Sequence, residues 1–245
     1  MTINRNDVAL ITGADGGIGR ALARSLHEAG CRLVLHSDNA DGLAKLVADQ
    51  GWLPDRVLTA VHDVADGPAV EAAVAAAVDR FGRIDQLLNV AGVAFHGGVL
   101  DTDQDTWEHT LRTNLTGYFL MARAVLPHMR AAGSGHIVNM SSIWGHRCSP
   151  AGAMLAYSVS KFGVEGLTDC LREEARAWGV KVTSMVLDKV DTAFRDRMAP
   201  HIVYSAEQRA RMMSPEDVAG ATLDVLRSPA RAMPARVDLD AWLWQ

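Results

Sequence analysis

From end to end the chain alternates short apolar runs with longer segments of helical periodicity, and this alternation limits its fold more than any other property. Val8–Thr12, Arg32–His36, Arg56–Val61, Ile84–Asn89, His136–Met140, Val180–Leu187 and Ala235–Asp240 are predicted strands. Several are apolar without alternation, as strands covered on both faces of a parallel sheet are. Ile18–Ala29, Gly42–Gln50, Pro68–Phe81, Thr106–Ala131, Ala153–Trp178 and Pro215–Leu226 are predicted helices. In the third of these, Val70, Val74, Val78 and Phe81 recur near the 3.6-residue period and mark one buried stripe. Ser214-Pro215-Glu216-Asp217 opens the last helix with a cap, a first-turn proline and two acids. Pro127 is expected to kink or end the fourth. Strand-helix-strand units repeated this way require right-handed crossovers, so the expected class is α/β, a doubly wound parallel sheet of about seven strands with helices on both faces. No linker, repeat or low-complexity tract interrupts the pattern, which predicts one domain over residues 1–245.

Composition excludes several functions. The net charge of −5 lacks the basic excess of a nucleic-acid-binding surface. No stretch reaches the ~20 apolar residues of a membrane span. The first residues, Met1 to Asp7, lack the apolar run of a signal peptide. Cys31, Cys148 and Cys170 are few, odd in number and far apart, as reduced thiols in a cytoplasmic protein are. A soluble chain with no nucleic-acid and no membrane partner, and no metal site, is expected.

Two motifs carry chemistry. The first strand runs through Thr12-Gly13-Ala14-Asp15-Gly16-Gly17-Ile18-Gly19 straight into a helix. Glycines at such a junction give a tight turn and let a pyrophosphate approach the backbone, while the helix start favours phosphate. Gly13, Gly17 and Gly19 are spaced slightly wider than the usual dinucleotide fingerprint. The second motif is Tyr157 with Lys161, four apart and so on one helix face. A phenol titrates near about 10, and a fixed cation beside it favours the phenolate.

Together with Asn89-Val90-Ala91-Gly92, Asn114 and Ser142, these motifs resemble the short-chain dehydrogenase/reductase family in its ~250-residue, single-domain Rossmann form, over almost the whole chain. The resemblance implies a catalytic tetrad of Asn114, Ser142, Tyr157 and Lys161. Tyr157 would exchange a proton with the substrate oxygen and Ser142 would orient that oxygen. Lys161 would bind the nicotinamide ribose and lower the tyrosine pKa, and Asn114 would hold a water of a proton relay. It also implies a cofactor site of Gly13, Asp15, Gly17, Ile18, Gly19, Asn89, Ala91, Gly92, Tyr157 and Lys161. Asp63 and Val64 would contact the adenine, and Val190 and Thr192 the nicotinamide end. Ser37 and Asp38 fall where relatives read the adenosine ribose; with Asp15 and Gly16 in the loop and no Arg at hand, they favour NAD over NADP, although His36 could assist a 2′-phosphate.

Three departures from the family pattern stand out. Val90 replaces an Asn, and the loop from Trp144 to Pro150 lengthens the Ser142–Tyr157 interval by two residues. Leu187-Asp188 replaces Pro-Gly after the sixth strand. Asp188 either tolerates the turn, facing solvent or pairing with Lys189, or lies beside the nicotinamide and favours its oxidised form. The resemblance frames the substrate with His96, Trp144, His146, Arg147, Met154, Leu155, Asp188, Phe194 and Arg195, under a mobile lid over about 188–213 that includes Arg197, His201 and Tyr204. This polar mixture favours a small polar alcohol or ketone, interconverted by hydride transfer. The helix start at Ser214 and the ending Ala235–Asp240 resemble a subgroup acting on small hydroxy or keto compounds. A catalytically impaired nucleotide-binding regulator, and an epimerase or dehydratase of the same fold, are the alternatives. Apolar faces on the fourth and fifth helices imply a homodimer or homotetramer.

Overall fold

In the computed structural model, which describes residues 3–149, 153–199 and 201–244, seven parallel strands form one sheet. They are β1 (Val8–Thr12), β2 (Arg32–Ser37), β3 (Val57–Val61), β4 (Gln86–Asn89), β5 (Gly135–Ser142), β6 (Val180–Leu187) and β7 (Arg236–Leu239). Their order across the sheet is β3-β2-β1-β4-β5-β6-β7, so the direction of winding reverses between β1 and β4. A crevice at such a switch point, outside the carboxyl ends of the strands, is where open α/β sheets bind ligands.

Residue alternation divides the core into two layers. Ala9 and Ile11 of β1 face α1 (Gly17–Glu28), α2 (Ala40–Gln50) and α9 (Pro215–Arg227) through Leu22, Leu26, Leu46 and Val218. Val8 and Leu10 face α3 (Gly67–Phe81), α5 (Gly117–Ala132) and α6 (Leu155–Arg176) through Val74, Met121 and Leu171. Both faces of the central strands are thereby removed from water, which is why β1, β4, β5 and β6 are buried along their whole lengths. Of the expected stripe on α3, Val70, Val74 and Phe81 are buried and Val78 packs at its edge. Ser214 and Asp217 form a reciprocal capping box at the start of α9.

The structure corrects several boundaries. The helix expected over 106–131 begins as α4 (Gln104–Leu111), widens into a π-turn at Arg112–Thr116 and continues as α5. Pro127 lies inside α5 and does not end it; it sits on the exposed face, where water can take the carbonyl its ring leaves without a donor. β5 runs two residues beyond the expected end, to Ser142. The segment read as a lid contains two short helices, α7 (Ala193–Met198) and α8 (Ala206–Ala210). Ser205 and Gln208 make a capping box at α8, a sequence signal that locates it.

Two buried histidines make stability depend on pH. His36 is 2% exposed and His136 is 3% exposed. Burial, and after it the neighbouring His62, brings His36 down to about 4. Burial and the Lys181 charge bring His136 down to about 3. Both lie below the unfolded value of 6.5, so under pH 6.5 the unfolded chain takes up protons that the folded chain refuses. Stability should therefore fall on acidification from 6.5, by about 1.4 kcal/mol per pH unit for each ring. Urea unfolding of wild type and His36→Gln from pH 7 to 5 checks this, and an unchanged slope in the variant would contradict it.

Candidate active site

The glycine loop closes the crevice from below. Gly13 has φ +62° and its Cβ position lies 2.9 Å from the Ala91 Cα, so the loop rests on the segment after β4. Thr12 Oγ1 fixes that contact by accepting from the backbone N–H groups of Val90 (2.9 Å) and Ala91 (3.0 Å). A Cβ at Gly17 would meet Thr192 Cγ2 at 2.6 Å, bringing the α1 start against the segment after β6. The cap residue Gly16 makes no side-chain cap bond and the first turn carries no acid, so the helix start keeps its N–H groups and positive field for an anion. These features fit a nucleotide pyrophosphate, with Ile18 and Gly19 in the first turn of α1.

At the far end Ser37 Oγ donates to Asp15 Oδ1 (2.5 Å) and Asn39 Nδ2 to Asp15 Oδ2 (2.9 Å). Asp15 and Asp38 thus set two carboxylates around Ser37, while Arg20 Nε is held on the Asp15 carbonyl at 2.6 Å. His36 is unsuited to assisting a phosphate. Its Nε2 is engaged with the His62 carbonyl (2.9 Å), and burial keeps the ring neutral. Asp63 accepts from Arg112 (2.7 Å), a partner missed in the sequence, and Val64 packs beneath against Gly117. The Asn89 side chain donates to Asn139 (2.9 Å) inside the sheet, leaving its backbone to line the crevice.

Tyr157 lies in the first turn of α6, and Ser142 at the end of β5 is its hydrogen-bonding neighbour. The other serine, Ser141, has its hydroxyl against Gly145. Lys161 is 4% exposed, and its Nζ donates to the Met140 carbonyl (2.7 Å) beneath the Tyr118 and Tyr157 rings. Tyr118 Oη donates to the same carbonyl (3.2 Å). Tyr118 follows Asn114 by four residues, and the spacing could have pointed to it.

The expected lowering of the tyrosine by the lysine is reversed in this environment. Burial raises Tyr157 to about 12, against the pull of Ser142 and of the Arg195 charge. Burial lowers Lys161 to about 7, against Glu165. Lys161 meets the face of the Tyr157 ring, 5.6 Å from its centroid, and burial is the dominant influence on each group. The phenol is therefore protonated at neutral pH, the form that donates a proton.

Asn114 sits in the π-turn, fully buried. Its Oδ1 accepts from Val93 N–H (2.8 Å), and its Nδ2 donates to the Val93 carbonyl (2.8 Å) and to Ser160 Oγ (3.0 Å). With both amide hydrogens engaged, the side chain cannot donate to a relay water; it locks the turn instead. The wide turn leaves a backbone carbonyl outside the α-helical ladder, which can accept one.

The segment over 188–213 is pinned at its neck, where Asp191 N–H donates to Met213 (2.9 Å) and Met213 N–H to Lys189 (3.0 Å). Phe194 reaches over Tyr157, with ring centroids 6.0 Å apart, and His201 meets His96 at 4.6 Å. Tyr204 stacks edge-on against Trp244, whose ring also takes the Lys189 ammonium. Asp188 pairs with Lys189 (3.2 Å) and has no positive φ, so Asp is accommodated in place of Gly without strain. Trp144 is tied to Ser142 through its N–H (3.3 Å), Met154 forms an isolated parallel bridge with Gly97, and Leu155 N–H donates to the Gly97 carbonyl (3.1 Å) at the α6 start. His146 is engaged by Glu165 (3.2 Å) and Arg236 (3.2 Å), and Arg147 lies over the Trp144 ring, so neither joins Tyr157. Pro150, in the lengthened loop, and Pro200, in the lid, lie outside the described residues, as does Met1 at the start.

A seven-stranded parallel Rossmann sheet with a glycine cradle at its switch point and Ser, Tyr and Lys assembled beside it defines a class, the nucleotide-dependent oxidoreductases. Residues 7–202 match the short chain dehydrogenase family, and the chain belongs to it. An uncharacterized oxidoreductase of Staphylococcus haemolyticus is 34% identical over 230 residues, covering 94% of this chain and 95% of that one. The crystal structure of a levodione reductase superposes with a TM-score of 0.84 at 31% identity, over 97% of each chain. A metagenomic short-chain oxidoreductase in complex with NADP gives a TM-score of 0.80 at 28% identity, over 97% of this chain and 98% of that one. Among the described residues no helix is long and apolar enough to cross a membrane.

Proposed function

We propose that this oxidoreductase moves a hydride between a nicotinamide nucleotide and the CH–OH or C=O carbon of a small polar alcohol or ketone, within one domain. The observation that carries the reading is the half-buried Tyr157, with Ser142 as its hydrogen-bonding neighbour and the Lys161 Nζ 5.6 Å from its ring centroid, beside the glycine cradle. The nucleotide, when bound, supplies the hydride chemistry, and the protein supplies position and charge. The α1 start would bind the pyrophosphate, and Gly13, Gly17, Gly19, Ala91 and Gly92 would admit it against the backbone. Asp15, Ser37 and Asp38 would hold the ribose, Asp63 and Val64 the adenine, and Val190 and Thr192 the carboxamide. Ser142 orients the substrate oxygen, and Tyr157 gives it a proton or takes one from it. Lys161 would hold the nicotinamide ribose, and the free carbonyl of the Asn114 turn would accept from a water of the proton relay. With Asp188 neutralised by Lys189, the regulator reading loses its motive.

Absorbance at 340 nm over a panel of alcohols and ketones tests the assignment; no nucleotide-dependent change with any of them would refute it. The same assay decides the cofactor. A 2′-phosphate beside the Asp15 and Asp38 carboxylates is repelled, so kcat/KM with NAD⁺ should exceed that with NADP⁺ by at least ~10-fold, and Asp38→Arg should narrow the gap. Equal efficiencies would overturn that preference.

The reading extends to assembly and compartment. Phe119 and Phe162 on the outer faces of α5 and α6 are each 46% exposed, and between these helices runs an apolar groove lined by Leu126, Leu171 and Trp178. A homodimer or homotetramer buries this surface. The three free cysteines suit a reducing cytoplasm.

A further inference from the structure

We propose that Arg195 is a carboxylate-binding residue and that the substrate is a small hydroxy or keto acid. The proposal rests on the dehydrogenase reading and names its substrate class.

Three observations converge. Arg195 stands on α7 directly after Phe194, the residue whose ring covers Tyr157, and its charge reaches the phenol. No carboxylate among the described residues pairs with it, whereas the neighbouring acids have partners: Asp188 has Lys189, and Asp191 and Asp196 share Arg209. Its guanidinium is held by one side only. Nη1 meets Tyr204 Oη at 3.4 Å, and the plane lies against the Tyr204 ring at 5.5 Å. Nε is buried with no hydrogen-bond partner, and the Nη1–Tyr204 contact is the only hydrogen bond of this guanidinium among the described residues.

The edge left free, Nε with Nη2, is one of the two edges by which a guanidinium takes a carboxylate through two parallel hydrogen bonds. A buried N–H of a permanent cation left without a partner is unfavourable, and a bound anion removes the penalty. One available cation matches a monoanion. A phosphate dianion would call for a second, and Lys189 and Arg209 are already engaged, the first by Asp188 and Trp244, the second by Asp191 and Asp196. The lid therefore carries both an apolar cover for the reacting carbon, Phe194, and an anchor for the acid group.

The test compares 2-hydroxy- and 3-hydroxybutanoate with their methyl esters in wild type, Arg195→Met and Arg195→Lys, after thermal melting establishes that each variant is folded. Wild type should favour an acid over its ester by at least ~30-fold in kcat/KM, the low end for a buried charge pair, and Arg195→Met should abolish that ratio. Arg195→Lys should restore part of it through the charge alone. Excess butanoate, with butanamide as its neutral twin, gives a readout independent of turnover. In the presence of NAD⁺ only butanoate should raise the melting temperature of wild type, and it should not do so in Arg195→Met. Esters used as well as acids, or equal losses on both in Arg195→Met, would overturn the proposal and make Arg195 a positioning residue for Tyr157. Turnover of neutral alcohols without any effect of butanoate would overturn it while leaving the dehydrogenase reading intact. A butanoate effect lost in Arg195→Met, without turnover of any compound, would support the anion site and remove the dehydrogenase reading instead.

Discussion

Tyr157→Phe should lower turnover at least ~100-fold, the low end for a positioned acid or base, with the loss in kcat rather than KM. The substitution removes one oxygen and keeps the ring that packs on Phe194 and covers the Lys161 ammonium. What disappears is a proton donor that burial holds at about 12, and so in its protonated form through the neutral range. Carbonyl reduction should suffer throughout that range. Ser142 cannot substitute, because an unperturbed hydroxyl is a far weaker acid than a phenol and this one accepts from Trp144 N–H at 3.3 Å. Steady-state kinetics in the reductive direction measure the effect. Near-normal turnover in the variant would move the proton transfer to another group.

A single methyl at Gly19 should do comparable damage by a different route. Its Cβ would lie 2.2 Å from the Gly13 carbonyl oxygen, 2.8 Å from the Ala14 Cα and 2.9 Å from the Gly13 carbonyl carbon. All three atoms are backbone, so no side chain can yield and the loop itself must shift. Overpacking of this kind reaches about 3 kcal/mol. Gly19→Ala should therefore lower Tm by roughly 6–12 °C. Because the loop that moves is the pyrophosphate cradle, nucleotide affinity should fall at least ~10-fold. Gly220 in α9 has nothing within 4 Å of its Cβ position, and Gly220→Ala serves as the control. There the helix gains propensity and the melt should rise. Calorimetry of both variants with a nucleotide titration checks the pair, and equal behaviour would show that the clash is relieved cheaply.

The sheet was legible because its strands are apolar on both faces and its helices are punctuated by caps and glycines. Val8–Thr12 and Val180–Leu187 begin and end where the periodicity places them. The π-turn was not legible, because Arg112–Thr116 contains no residue that demands a wide turn. It is fixed by distant groups, the Val93 backbone and Ser160, acting on Asn114. The lid helices leave little sequence signature for a related reason. At six and five residues they are too short to show a period, and only the Ser205–Gln208 box marks one of them. The reacting residues were recognisable by motif, but their charge states were not. Burial decides the protonation of Tyr157, Lys161 and His36, and burial is a property of the fold. His146 and Arg147, adjacent in sequence to the pocket, are drawn away by Glu165, Arg236 and Trp144.

The widened turn around Asn114 also governs how the long rod from Gln104 to Ala132 can vary. A regular helix advances about 100° per residue, so one residue added within a turn offsets everything beyond it by that angle. The two halves of the rod therefore keep separate phases. The first sets α4 against α6, and the second sets α5 against the sheet and α3. Substitutions in either half leave this offset untouched. Loss of one residue between Arg112 and Thr116 would rotate one half against the other, swinging either Asn114 or the Met121–Val125 face out of place. Along this stretch chain length is protected as strictly as the Asn114 side chain that fixes the turn.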